Sequence, residues 1–219
     1  MAGEFAVTAE TNGGSAAFVG PPDSSIHTKL KLPADTGSAG QVLKVKSANH
    51  SSTNAELEWA ADAGGLFSSY ALLEDEKTDT TDGGASTATT WHHRDLNSEV
   101  FDPDNIVSLA SNKFTIGPGT FYITWRCPGY RTAGLNSRLY NVSDSSVVKY
   151  GTAGLSYTVH TYAITHTFGS ARVTISSGTK EYRIDMYAHS AYANGLGENS
   201  LGGATSNNIF TQVEIFKEA

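Results

Sequence analysis

Alternation of apolar and polar residues with a period of two is the dominant pattern along this chain. The clearest case is residues 121–127, which follow a Gly-Pro-Gly turn and precede Pro128 and Gly129. A period of two is that of a β-strand with one buried face, and Pro followed by Gly suits the middle of a turn. The pattern therefore predicts a strand that stops at Pro128. Its core-facing side chains are predicted to be Phe121, Ile123, Trp125 and Cys127.

Similar short runs between turn-forming segments predict an all-β protein. Residues 137–142 and 147–150 flank the polar segment 143–146, which predicts a hairpin. The sequence has no βαβ rhythm, and its best helix candidate, residues 70–77, is short. About eight strands of this kind indicate a double-sheet β-sandwich. The remaining predicted strands are 157–165, 171–175, 182–188 and 209–216.

The last predicted strand carries large aromatic residues opposite its apolar face. Ile209, Val213 and Ile215 match a core face, whereas Phe210 and Phe216 lie on the other side. Large aromatic side chains on a face that would be exposed in a monomer indicate a contact between subunits. With outward residues of the other runs, the predicted subunit interface consists of Tyr122, Thr124, Arg126, His160, Tyr162, Phe210, Gln212 and Phe216.

The distribution of aromatic residues predicts a boundary near residue 65. Residues 1–65 hold only three aromatic residues, and all the others lie in residues 66–219. The first segment cannot build much of a core by itself, whereas the second can. Alternating runs around Leu30, Val42 and Leu57 are each too short and one-sided to be stable alone. We expect them to need an external surface, such as a three-chain stem or another protein; the alternative is a loosely ordered linker.

Charge and composition narrow the classes of partner. The formal net charge is −7 and the basic residues form no run, which argues against an electrostatic contact with nucleic acid or with an anionic membrane. No apolar stretch approaches the roughly 20 residues that would insert across a bilayer. Residues 1–5 lack the pattern of a secretion signal, so assembly in a cytoplasm is expected. Cys127 is the only cysteine, which excludes an intramolecular disulfide.

The residues that could carry chemistry do not form a recognisable site. None of the common catalytic or nucleotide-binding motifs is present, so we expect no enzyme activity and no cofactor. His92 and His93 would point to opposite faces of a strand, and His160 and His166 would lie about 20 Å apart on one. A lysine interrupts the calcium-loop pattern in the acidic segment 74–82, which is better explained as a solvated loop. We expect no metal within one chain, while a metal shared by three copies on an axis stays open.

A resemblance to a known family adds to this picture. Residues 114–125, in which Phe114 opens the segment and Gly119 precedes an aromatic strand, resemble a signature of the complement globular-head and tumour-necrosis-factor-like jelly rolls. Residues 173–184, with a turn at Gly178, and residues 195–210 are similar to later strands of that family. The resemblance covers roughly residues 66–219. It implies a ten-strand jelly roll that forms a compact homotrimer.

A second resemblance concerns the origin of the chain. Residues 30–33, 40–43 and 57–60 are similar to stem segments of fibre proteins of marine tailed phages, and residues 102–109 and 138–142 resemble their trimeric tip domains. The resemblance implies a structural virion protein, a fibre or knob subunit of head or tail. Residues 1–65 would then bind other phage virion proteins, and residues 66–219 would be the jelly roll. The alternative function is a cellular adhesion or ligand-type trimeric binding module.

Two loops are candidates for a contact with the host. Residues 130–136 and 191–205 are rich in Gly, Ala, Ser and Asn, which predicts exposed and variable loops. Tyr130, Tyr192 and Asn194 could stack on and hydrogen-bond to a host cell-surface glycan. Three copies on one axis would raise a weak affinity by avidity. The alternative is passive decoration of the particle with no ligand.

Overall fold

The computed structural model describes residues 29–46, 54–61, 65–156, 163–199 and 207–219. These residues form fifteen β-strands and contain no helix, which confirms the all-β prediction. Accordingly, none of them belongs to a helix long and apolar enough to cross a membrane. The chain divides into two compact units, Met1–Ala63 and Gly64–Ala219.

The first unit contains a three-stranded sheet. Its strands are β1 (Lys29–Lys31), β2 (Gln41–Val45) and β3 (Asn54–Ala61), and β3 lies in the middle. β1 is parallel to β3, whereas β2 is antiparallel to it. The three predicted strands around Leu30, Val42 and Leu57 are therefore confirmed. They pair with one another, which supplies the backbone hydrogen bonds that a single short strand lacks.

One tryptophan organises the described part of this unit. The Trp59 indole Nε1 donates a hydrogen bond to the Asp35 carbonyl at 2.8 Å. Gly37, with a φ of 69°, lies so close that a Cβ there would be 2.6 Å from the Trp59 ring. By contrast, β2 keeps its apolar side chains exposed: Val42 is 39%, Leu43 42% and Val45 50% accessible. The unit therefore presents an apolar strand that its own described residues do not cover.

The second unit is a sandwich of two sheets. The first, sheet A, has the strand order β13-β9-β15-β4-β6. The second, sheet B, has the order β11-β10-β14-β8-β7, with β12 beside β10 and β5 beside β14. Sheet A comprises β4 (Phe67–Lys77), β6 (Ser98–Phe101), β9 (Gly119–Tyr130), β13 (Ile164–Ile175) and β15 (Asn208–Glu218). Sheet B comprises β5 (Thr90–His93), β7 (Val107–Ala110), β8 (Lys113–Ile116), β10 (Ala133–Asn141), β11 (Ser146–Tyr150), β12 (Gly154–Ser156) and β14 (Lys180–Ala188).

The chain crosses repeatedly between the sheets, as a jelly roll requires. The connections from β8 to β9, from β9 to β10 and from β13 to β14 each pass from one sheet to the other. All strand pairs in the two sheets are antiparallel. The predicted jelly-roll sandwich is confirmed.

The core lies between the sheets and contains the face predicted for residues 121–127. Phe121, Ile123, Trp125 and Cys127 are each at most 3% exposed, which confirms their inward orientation. The Trp125 indole Nε1 donates to the Ser137 hydroxyl of β10 at 2.8 Å, so its one polar group is satisfied across the sandwich. The predicted hairpin is also present, because β10 and β11 pair antiparallel up to Asn141 and Ser146.

The structure corrects two of the predicted elements. Residues 70–77 are part of β4 and not a helix, because their buried side chains follow the period of two: Ala71, Leu73 and Asp75 face the core. Asp75 therefore does not belong to a solvated loop. The strand of residues 121–127 does not stop at Pro128 but continues to Tyr130. Beyond Arg126, β9 pairs only with β13, and a proline is tolerated where one edge of a strand has no partner.

The later predicted strands are recovered with longer bounds. Residues 171–175 are the end of β13, residues 182–188 lie in β14, and residues 209–216 lie in β15. Of the predicted strand 157–165, residues 157–162 lie outside the described part of the chain, and Ile164 begins β13.

Candidate functional site

The outer face of sheet A carries a continuous row of aromatic rings. β15 lies between β4 and β9, and its register places Phe216 directly opposite both Tyr70 and Tyr122. The ring centroids of Phe216 lie 4.9 Å from Tyr70 and 5.0 Å from Phe67. Phe67 is in turn 6.4 Å from Tyr122, and Tyr70 is 5.9 Å from Phe101 of β6. These five residues, Phe101, Tyr70, Phe216, Phe67 and Tyr122, are called the aromatic row below.

The aromatic row is accessible to solvent in the single chain. Phe67 and Tyr122 are each 37% exposed, and Phe101 is 50% exposed. Burial of apolar surface contributes about 25 cal/mol per Å² removed from water, so a partner that covered the row would gain substantially. An exposed apolar patch of adjoining large side chains is typical of an interaction surface.

A polar network fixes the side chains next to the row. One Glu214 carboxylate oxygen accepts a hydrogen bond from the Tyr70 hydroxyl at 3.2 Å, and the other accepts from the Thr124 hydroxyl at 3.0 Å. Burial, together with the nearby Glu214 carboxylate, raises the pKa of Tyr70 to about 12, so the hydroxyl stays a donor at neutral pH. Gln212 donates to Glu74 one step further along the sheet. These hydrogen bonds therefore restrict Tyr70, Thr124 and Gln212 before any partner binds.

Five of the predicted interface residues come together on this face. Tyr122, Thr124 and Arg126 project outward from β9, opposite Phe216, Glu214 and Gln212 of β15. His160 and Tyr162, which were also predicted for the interface, lie outside the described residues.

The prediction for Phe210 is wrong. Phe210 is only 5% exposed and packs inside the subunit, where a Cβ on Gly197 would lie 2.3 Å from its ring. The reason is a β-bulge between Ile209 and Gln212, which inserts one extra residue into β15 relative to β4. Upstream of the bulge the inward and outward positions are exchanged. Ile209, predicted for the core, is accordingly 38% exposed.

Three members of the aromatic row escaped the sequence analysis: Phe67, Tyr70 and Phe101. Phe67 and Tyr70 are three residues apart, a spacing that puts side chains on opposite faces of a regular strand. A second irregularity in the pairing of β4 with β15, between Lys217 and Glu218, restores them to one face. The two aromatic residues within 67–70 were the only sequence feature that pointed to this surface. The bulge determines that both of them lie on the same face of the sheet.

The candidate ligand residues Tyr130, Tyr192 and Asn194 lie together, but their groups are engaged within the chain. Tyr130 is 2% exposed, so the prediction that it offers a ring to a ligand is wrong. It packs edge-on against Tyr192, whose hydroxyl accepts a hydrogen bond from Arg131 at 2.6 Å. Asn194 donates to Glu198. This cluster therefore stabilises the loop that follows β14.

The other candidate chemical groups are separated. The described residues contain no group of three or more His, Cys, Asp or Glu side chains that could hold a metal ion. His92 contacts the backbone of Thr87, whereas His93 contacts the Asn112 carbonyl at 2.9 Å. Burial raises the pKa of Cys127 to about 11, which keeps it a neutral thiol at neutral pH.

Comparison with known proteins gives similarity of fold. No protein-family model matches the chain, and no curated protein matches it. The globular domain of the zebrafish complement 1qA protein aligns over 68% of this chain and 96% of its own, with 14% identity and a TM-score of 0.42. Eiger TNF from S. frugiperda aligns over 71% of this chain and 94% of its own, with 10% identity and a TM-score of 0.46. The PRD1 vertex protein P5 aligns over 71% of this chain and 100% of its own, with 13% identity and a TM-score of 0.44.

Proposed function

We propose that the chain is a structural, non-enzymatic virion protein of a tailed phage, a fibre or knob subunit whose jelly roll forms homotrimers through the outer face of sheet A. The observation that carries the proposal is the aromatic row. Five adjoining rings on a preorganised, solvent-accessible sheet face are an arrangement suited to burial against copies of the same chain.

The surroundings of the row support a contact between subunits. Arg172 lies beside Tyr122 in the neighbouring strand and forms a two-point ion pair with Glu218, in which both N–O distances are 2.6 Å. Arg126 and Gln212 lie at the opposite side of the row. An aromatic centre within a polar and charged rim is the usual composition of a specific protein interface.

The first unit supports attachment to other virion proteins. β2 exposes three apolar side chains along a short strand, and such an edge pairs readily with another chain. The resemblance of residues 30–33, 40–43 and 57–60 to phage fibre stems agrees with this role. In this proposal the first unit anchors the protein during assembly in the host cytoplasm, and the jelly roll is displayed on the particle.

Labelling of intact particles tests the virion role. Antibodies raised against residues 64–219 should decorate purified phage at regular positions in immuno-electron microscopy, and the positions distinguish head from tail. Matched particles from a deletion strain are the control. Labelling that is equal on both kinds of particle, or absent from wild-type particles, would contradict the role of a displayed structural protein.

A further inference from the structure

The outer face of sheet B carries a second set of aromatic side chains, which alternates with arginines. Four of its strands contribute: β5, β10, β11 and β14 lie side by side, with Trp91 opposite Tyr187 and Tyr150 opposite Arg138. Six residues form this surface, which is called the arginine–aromatic platform below: Trp91, Arg138, Tyr140, Tyr150, Arg183 and Tyr187.

The members of the platform are stacked on one another. The Trp91 ring lies 5.5 Å from Tyr187 and 6.0 Å from Tyr150, measured between centroids. The Arg138 guanidinium lies 4.3 Å from the centre of the Trp91 ring. A guanidinium placed over an aromatic ring is attracted by the electrons of its face. Because strands and not loops supply all six residues, the platform is preorganised.

A buried carboxylate anchors both arginines from below. Asp185 is 1% exposed and accepts hydrogen bonds from the Nε atoms of Arg138 and Arg183, each at 2.8 Å. The Arg183 guanidinium also lies 4.6 Å from the centre of the Tyr140 ring. Each guanidinium has five N–H groups, so both keep donors that bond to no described residue. The orientation of these donors is fixed before a ligand binds.

The platform is electropositive within an acidic protein. Two guanidinium groups share the single Asp185 carboxylate, which leaves one unit of positive charge on a chain whose formal net charge is −7. The side chains of Arg138 and Arg183 are 15% and 30% exposed, and Tyr150 is 55% exposed. Accessible rings and outward cationic donors therefore lie within one surface.

We propose that the arginine–aromatic platform binds an acidic saccharide, a glycan with a carboxylate on its sugar ring. One face of a pyranose ring presents C–H groups that can pack on the exposed Tyr150 ring and the half-buried Trp91 ring, as other apolar groups do. Its carboxylate matches the planar donors of Arg138 or Arg183, which bind carboxylates through two parallel hydrogen bonds.

Other occupants fit this surface less well. Protein interfaces also favour arginine and aromatic residues, but their buried centres are more apolar than this platform, which has two arginines at its centre and no aliphatic side chain. Nucleic acids need several cationic contacts along the phosphate backbone, and a single uncompensated charge on an acidic protein does not supply them. Charge complementarity and the stacked rings together favour the acidic saccharide.

This inference would give the proposed virion protein its ligand on the host surface, yet it does not depend on trimer formation. All six residues belong to one chain, and the aromatic row lies on the other sheet. A monomeric protein that binds the saccharide would refute only the trimer, and a trimer that does not bind would refute only the platform.

Titration of the full-length protein with defined oligosaccharides tests the inference. The probes are tetragalacturonate and tetramannuronate, with cellotetraose as the neutral control. Calorimetry and tryptophan fluorescence measure the binding. We expect at least one acidic tetramer to bind with a Kd of about 1 mM per site, and the neutral tetramer to bind about tenfold more weakly. Absence of binding by both acidic tetramers, or equal binding by the neutral one, would overturn the proposal.

Substitutions locate the binding. Trp91→Ala and Tyr150→Ala should each weaken binding of the acidic tetramer by about tenfold, and Trp91→Phe should retain most of it. Val100→Ala, which shortens a 49% exposed apolar side chain on β6 of sheet A, is the control and should bind as the wild type does. Tyr150 is highly exposed, so its substitution tests the platform even if Trp91→Ala reduces stability. Unchanged binding in Tyr150→Ala and Trp91→Ala would contradict the assignment.

Discussion

At the residue scale, an arginine is the largest fully buried side chain among the described residues. Arg94 donates from Nε to the Thr211 hydroxyl at 2.8 Å, and its Nη2 lies 3.9 Å from the buried Asp75 carboxylate. Lys77 lies 3.0 Å from Asp75 and 2.6 Å from Asp95, so the cluster extends to the surface. Burial raises the pKa of Asp75 above its usual value. An isolated buried charge would be very costly, and this clustering makes the inward position of Asp75 tolerable.

A glycine beneath the core tryptophan gives a residue-scale prediction. A Cβ on Gly169 would lie 1.9 Å from the Trp125 ring, which is nearly buried and hydrogen-bonded to Ser137. We expect Gly169→Ala to lower the free energy of unfolding by about 3 kcal/mol, because the added methyl group would clash with the buried, hydrogen-bonded Trp125 ring. Chemical denaturation measures the change.

Gly117→Ala is the matched control for that substitution. Gly117 has no other heavy atom within 4 Å of the Cβ position, and its φ is not in the left-handed region. The stability of the Gly117→Ala variant should therefore remain close to that of the wild type. Equal stability of Gly169→Ala and the wild type would show that Trp125 does not pack against β13 as described.

At the element scale, irregular strand pairing decides which side chains face the core. Alternation alone was sufficient for β9, where Phe121, Ile123, Trp125 and Cys127 are all buried as predicted. It failed for the start of β15 and for the residues around Phe67 in β4, because bulges exchange the two faces at those points. A bulge depends on pairing with a distant strand, which a local sequence pattern does not encode. Five of the eight predicted interface residues lie on the outer face of sheet A, Phe210 does not, and Phe67, Tyr70 and Phe101 were not predicted.

The bulge in β15 makes an element-scale prediction. Phe210→Ala should lower the free energy of unfolding by about 3 kcal/mol, because it empties the space between β15 and the loops at Gly83 and Gly197. Ile209→Ala, on the outward side of the same bulge, is the control and should cost little. Thermal and chemical unfolding of both variants measure this difference. A larger destabilisation by Ile209→Ala than by Phe210→Ala would indicate regular alternation in β15 and would contradict the bulge.

At the scale of the whole molecule, the two units have different requirements for stability. Gly64–Ala219 encloses a core of residues from both sheets, whereas the described strands of Met1–Ala63 leave apolar side chains exposed. The aromatic count along the sequence predicts a boundary near residue 65. The pairing of β1, β2 and β3 with one another was not predictable, because the alternating pattern of each segment does not indicate which strand it pairs with.

Removal of the first unit tests this division. Residues 64–219 alone should unfold in one cooperative transition and keep the oligomeric state of the full chain, because the aromatic row lies within them. If the first unit provides the anchor, phage particles produced in cells that make only the shortened protein should not incorporate that protein. Circular dichroism and analysis of purified particles measure the two outcomes. A shortened protein that does not fold would show that the first unit completes the core.

The central claim is that the aromatic row joins three copies of the chain. Light scattering coupled to size exclusion tests it directly, with Tyr122→Asp as the disrupting variant and Tyr150→Asp, on the opposite sheet, as the matched control. A carboxylate buried without a partner costs several kcal/mol, so Tyr122→Asp should dissociate a trimer and leave the subunit folded. The account predicts three times 23.2 kDa for the wild type and Tyr150→Asp, and 23.2 kDa for Tyr122→Asp. A wild-type protein that is a stable monomer at micromolar concentration, or a Tyr122→Asp variant that remains a trimer, would contradict it.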